Sequence, residues 1–158
     1  STAVNQRLEA LRAFIKTYFD FSEPPSLGEK LNVSEYSISA RNSVGDGMTP
    51  DHIPSIASTK AYMERNLGRE LTVDEAKTLN NEGTTILYET RIHQQYSRTY
   101  GGRNSSAQIS LDANDLYEAA LKDMAAIRQA LIESGSSPID IDAAFELIHE
   151  QNRVKGLY

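Results

Sequence analysis

With 39% apolar and 24% charged residues, a chain of 158 residues is long enough to bury one core and is not composed like a disordered segment. No apolar run approaches the ~20 residues needed to cross a bilayer, and no signal peptide is visible. The absence of cysteine excludes disulfides, thiolate nucleophiles and cysteine-held zinc, so any metal would be held by Asp, Glu, His, Asn or water. The net charge of −6 argues against a general nucleic-acid binder, because phosphate attraction calls for a basic face. The chain begins Ser-Thr-Ala without Met, and reads as an excised piece of something longer.

Val4, Leu8, Leu11, Ile15 and Tyr18–Phe19 recur at helical spacing and predict an amphipathic helix over 3–20, a packing element broken by Ser22-Glu-Pro-Pro-Ser. Tyr36 and Ile38 alternate with Ser37 and Ser39, so residues 31–41 are expected to be extended. Asn42-Ser-Val-Gly-Asp-Gly is turn material leading to Met48-Thr-Pro-Asp51-His52, and the proline keeps the residue before it extended.

A helix is expected from Pro54 or Ser55 to about residue 66, with Ile56, Ala61 and Tyr62 inward and Gly68 ending it. Thr72-Val-Asp-Glu75 is a capping box for a short helix to Asn80. After Gly83, Thr84-Thr-Ile-Leu-Tyr-Glu89 has the β-branched composition of a strand, and a helix from about Thr90 carries His93 near its start. Tyr100-Gly-Gly-Arg-Asn-Ser-Ser reads as flexible loop. Asp112 is placed to cap a helix to about Glu133, with Leu116, Ala119, Ala120, Met124, Ile127 and Leu131 inward. Gly135-Ser-Ser-Pro breaks the chain before a last helix over 142–153 with Ala144, Phe145 and Ile148 apolar.

Chemistry concentrates between Gly47 and Asn104, which holds two of the three histidines. The Asp51 carboxylate can ligate a divalent cation while the His52 imidazole, with an ordinary pKa of ~6.5, takes a proton from water. Neighbours on a strand point to opposite faces, so the two reach one phosphate only at a bend or beside a metal. His93 offers a second ligand from its helix, and Asn80 or Asn81 a hydrogen bond to orient His52. From Arg91 to Arg103 there are three arginines and no carboxylate, and Ser97, Arg98 and Arg103 with Gly101-Gly102 have the donors of a phosphate cradle. Each feature also has a plainer account. Asp-His occurs in ordinary turns, a His at a helix start interacts with nearby carboxylates, Asn terminates helices, and loop arginines are solvated. His149 lies mid-helix between Glu146 and Glu150 and is expected to be a surface ion-pair partner.

Asp51-His52, then Asn81-Glu-Gly83-Thr-Thr-Ile-Leu87, then His93 resembles the His-Asn-His (ββα-metal, endonuclease VII-like) nucleases, in the versions found as C-terminal domains of bacterial polymorphic toxins. The resemblance covers the central third of the chain. It implies His52 as general base, Asp51 and His93 as ligands of one divalent metal (Mg, Mn, Zn or Ni), and Asn81 or Asn80 as the orienting residue. The chain departs from the compact motif in the long interval from His52 to Asn81 and in the single His on the last helix.

The expected fold is mostly helical α+β: a small ββα-metal-like core at 31–104, embedded in four to five helices, with a packing helix at 1–22 and C-terminal helices at 110–158. The resemblance implies a metal-dependent endonuclease for which DNA is favoured over RNA as substrate, and a cognate immunity protein. It also implies delivery from the producing bacterium to the cytoplasm of a target cell, with no membrane partner. The alternatives are a non-catalytic helical interaction domain, in which Asp51-His52 is structural, and a metal-independent RNase.

Overall fold

The computed structural model describes residues 2–19 and 23–158; the expected break at Ser22 and the inward Tyr18 and Phe19 side chains fall outside what is described. Among the described residues the chain runs α1 (Thr2–Phe19), β1 (Val33–Glu35), α2 (Tyr36–Asn42), β2 (Met48–His52), α3 (Ile56–Leu67), α4 (Val73–Glu82), β3 (Thr84–Glu89) and α5 (Thr90–Tyr96). A 3-10 turn at Gly101–Arg103 leads into α6 (Ser106–Asp112), α7 (Leu116–Glu133) and α8 (Pro138–Val154). The fold is α+β and mostly helical, with more helices than the four to five expected.

The sheet is antiparallel in the order β1-β3-β2. Its central strand, β3, is buried from Thr84 to Tyr88, which suits its β-branched and aromatic residues. Side chains alternate, so the register decides what each face carries. Val33, Ile86, Tyr88 and Asp51 share one face, and Leu87, Thr85 and His52 share the other. The first face meets the main core, where Ile86 and Tyr88 join Met124, Ile127 and Leu131 of α7 and Ile141, Ala144 and Ile148 of α8. All six residues expected inward on α7 are buried, as are Ala144, Phe145 and Ile148. Val4, Leu8 and Ile15 are buried too, with Leu11 partly covered, and α1 packs along α8.

Five local expectations give way. Residues 31–41 are strand only at Val33–Glu35; Tyr36–Asn42 is helix, because the Tyr36 amide donates to the Gly83 carbonyl and the chain then coils with Ser39 fully buried. The Tyr–Ser–Ile–Ser alternation was coincident with small residues that let α2 lie close to the sheet. On α3, the buried positions are Ser58 and Thr59, not Ile56, Ala61 and Tyr62, which are half-covered. The stretch 100–106 is not all loop, since it contains the 3-10 turn and the start of α6, capped by Ser105. Asp112 ends α6 instead of capping α7; Asp115 is the cap, accepting from the Glu118 amide. The last helix starts at Pro138 with Ser137 as its cap, four residues earlier than expected.

Other signals carried through. Ser55 caps α3, Gly68 ends it in the left-handed conformation, and Thr72 with Glu75 forms the reciprocal capping box of α4. The central strand pairs with both neighbours and is buried along most of its length. Truncating fully buried Ile86 to Ala is expected to cost about 2–5 kcal/mol, read as a lowered urea midpoint without a changed slope.

Candidate functional site

The β2–β3 register places the Asp51 carboxylate on the core face, 7% exposed, where two partners close on it. The Tyr88 hydroxyl donates to Asp51 Oδ2 at 2.6 Å, and His93 Nε2 of α5 lies 3.2 Å from Asp51 Oδ1. Tyr88 and His93 also meet edge to face, with ring centroids 6.1 Å apart. Burial, then the Asp51 charge and hydrogen bond, hold the Tyr88 phenol far above its ordinary range, so it stays a donor. Residues 42 positions apart in sequence thus converge through three elements in the order β2, β3, α5.

Behind this pair lies an ion network that the sequence reading assigned to phosphate. Arg98 Nη2 donates to Asp112 Oδ2 at 2.6 Å, and its Nε lies 2.7 Å from Asp123 Oδ1. Burial opposes the Arg98 charge, but Asp112 and Asp123 outweigh it and hold its pKa above the ordinary value. Asp123 is 6% exposed and neither carboxylate oxygen has a well-directed hydrogen bond. Burial therefore dominates over Arg98, and its carboxyl is pushed up to about 8, with the Asp51 and Asp112 charges adding to the rise. Ser97 is buried, its hydroxyl meeting the Thr99 amide and hydroxyl. Arg103 stays at the surface, donating to the Gln94 and Gln95 carbonyls.

His52 faces the opposite side of the sheet. Its ring stacks on Tyr36 at 4.9 Å, and Nε2 lies 2.9 Å from the Asn80 carbonyl oxygen. A carbonyl only accepts, so Nε2 carries the proton and Nδ1 of the neutral ring keeps the lone pair. Burial, partly offset by the Asn80 hydrogen bond and Asp51, lowers the His52 pKa and favours that neutral form. Gly83 is required here, because a Cβ would come within 2.5 Å of His52 Cδ2 and 2.8 Å of Nε2. The ring opens on a mostly apolar cleft of about 700 Å³ between α3, α4 and the end of α8. Lys155 lines the same cleft, its Nζ donating to the Glu82 carbonyl and to Thr84 Oγ1, and burial lowers its pKa to about 8.

Asp51 and His93 are therefore brought together, while His52 is oriented by the Asn80 main chain on the other face and Asn81 lies at the end of α4, half-buried. Two donors 3.2 Å apart, one carboxylate oxygen and one imidazole nitrogen, fit neighbouring ligand positions on an ion bound at about 2.0–2.2 Å. No group of three or more His, Cys, Asp or Glu suited to a metal occurs among the described residues. Sequence reasoning placed Tyr88 in a strand without a role and did not single out Asp123. It also misplaced His149, which is 5% exposed, with Nδ1 2.9 Å from the Tyr158 hydroxyl rather than in a surface ion pair.

Two measurements check this arrangement. Gly83→Ala should displace the His52 ring and break its contact with Asn80, seen as loss of the Nε2-protonated signature in ¹⁵N–¹H spectra of the folded protein. Burial holds both His52 and His149 below the ordinary histidine pKa. The unfolded chain then binds more protons, so their stabilisation is complete above ~6.5 and is lost as pH falls through the depressed folded values. His149→Gln should show a shallower loss of urea stability on acidification through that window than the parent; parallel curves would refute the assignment.

No helix among the described residues is long and apolar enough to cross a membrane. No protein-family model matches the chain, and no solved structure matches it significantly. Over 128 residues, 80% of its length, the chain is 40% identical to a protein of Dickeya dadantii (strain 3937) named deoxyribonuclease CdiA, and it spans about 4% of that protein's length.

Proposed function

We propose that the chain is a nuclease module of a longer protein and hydrolyses phosphodiester bonds in DNA with one divalent cation held by Asp51 and His93. The observation that carries this reading is the convergence of that carboxylate and imidazole through β2, β3 and α5. That order matches the ββα arrangement of the His-Asn-His nucleases, with α3 and α4 inserted between the two strands. The name and the 40% identity of the Dickeya protein support DNA as substrate.

In this reading the cation, when bound, supplies charge stabilisation to the phosphoryl and leaving oxygens. Asp51 is oriented by the Tyr88 hydroxyl, which itself stays protonated. His52 is the base: its Nε2 proton is directed to Asn80, leaving Nδ1 to take a proton from water. β2 is an edge strand, with Asp51 and His52 on its opposite faces. Arg103 is the exposed arginine of the expected phosphate-binding set; Arg98 and Ser97 act from behind, holding the segment that carries it. Delivery to a target cell and neutralisation by a cognate immunity protein complete the proposal.

Plasmid incubated with magnesium, manganese, zinc or nickel should be nicked by the parent and spared in chelator. Asp51→Ala and His93→Ala should each lose cleavage and the metal-induced thermal shift, whereas His52→Ala should keep the thermal shift and lose about 10²-fold or more in rate. Cleavage that persists in chelator would instead support a metal-free mechanism.

A further inference from the structure

The outer face of α5 and the turn after it carry chemistry that the hydrolytic site leaves unused. From Thr90 to Leu111 there is no carboxylate, in a chain with 22 Asp and Glu. Arg91, Tyr96, Tyr100 and Arg103 are all exposed along it, and Tyr96 and Tyr100 keep 46% and 39% of their surface in solvent.

Tyr100 is nevertheless fixed in place. Its ring meets His93 edge to face, with centroids 5.2 Å apart and planes at 80°. The Arg103 guanidinium carbon stands 5.5 Å from the ring centroid, and Arg103 is itself tied to the main-chain carbonyls of Gln94 and Gln95. A Cβ at Gly101 or Gly102 would meet nothing within 4 Å, so the backbone between the two side chains is open to an approaching strand. An exposed ring and a planar cation beside the Asp51–His93 pair are suited to one base and one phosphate. Base faces inside a duplex are covered by their neighbours, so a ring can stack only on an unpaired base.

We propose that Tyr100, braced by His93 and Arg103, is the stacking platform for a nucleobase beside the scissile phosphate, and that the preferred substrate is DNA unpaired at that point. This rests on the reading of Asp51 and His93 as the hydrolytic site, since His93 is the residue that joins the two.

The test is fluorescence anisotropy with a labelled DNA strand of about 15 nucleotides and with its duplex, in chelator and low salt. The parent should bind the single strand more tightly than the duplex. Tyr100→Ala should weaken single-strand binding about tenfold with little change on duplex, and Tyr100→Phe and Tyr100→Trp should restore it, all with an unchanged melting temperature. Duplex preference in the parent, unaltered binding by Tyr100→Ala, or failure of both aromatic variants to restore it would each overturn the platform. Single-strand binding by a parent that cleaves nothing with any added metal would overturn the hydrolytic reading and the scissile phosphate with it, while loss of that binding in Tyr100→Ala would still support the base-stacking contact. Metal-dependent cleavage of both DNA forms, unaltered in Tyr100→Ala, would do the reverse.

Discussion

The register of β2 on β3 is the constraint on which the site depends. Asp51 lies opposite Ile86 and His52 opposite Thr85, and β3 is pinned from its other side by β1, with Val33 opposite Ile86. A slip of one residue would exchange the faces of Asp51 and His52, removing the carboxylate from Tyr88 and His93 together. The central strand resists that slip because its side chains are buried on both faces and it continues straight into α5. Strand pairing and the position of His93 are therefore one property of the chain, not two.

Around Asp51 the protein accepts polar burial that a purely structural core would avoid. Asp112 and Asp123 are both buried against a single guanidinium, and Asp123 lacks a well-directed hydrogen bond. Desolvating such groups costs several kcal/mol per ion in order of magnitude, offset here by Arg98 and by the proton that burial keeps on Asp123. The arrangement joins α6, α7 and the segment after α5 behind one carboxylate. It also leaves Arg103, and not Arg98, as the outward cation of that segment.

The C-terminal helix supports the opposite face. Asn152 donates to the Ile53 carbonyl, next in sequence to His52, and to the Tyr158 hydroxyl, which also meets His149. Lys155 reaches the Glu82 carbonyl and Thr84 Oγ1 on either side of Gly83, the residue that leaves room for the His52 ring. The last turn of α8 thus holds both strand ends that frame His52, which gives the C-terminal third a role in placing the site as well as in closing the core.

Local chemistry in the sequence determined a good deal: the capped ends of α3 and α4, the limits of β3, and the inner faces of α1, α7 and α8. These follow from contacts a few residues apart, where periodicity and turn residues act directly. Tertiary structure decided the rest. Tyr36–Asn42 is helix because the Tyr36 amide is taken by the Gly83 carbonyl and the chain then coils against the sheet, which short alternation cannot tell from a strand. Asp112 became an ion-pair partner once Asp115 capped α7. Tyr88 and Asp123 entered the site only through strand register and helix packing, and Arg98 turned inward for the same reason. A side chain's type states what it can do, but the face it occupies depends on pairings formed across tens of residues, and those exist only in the folded chain.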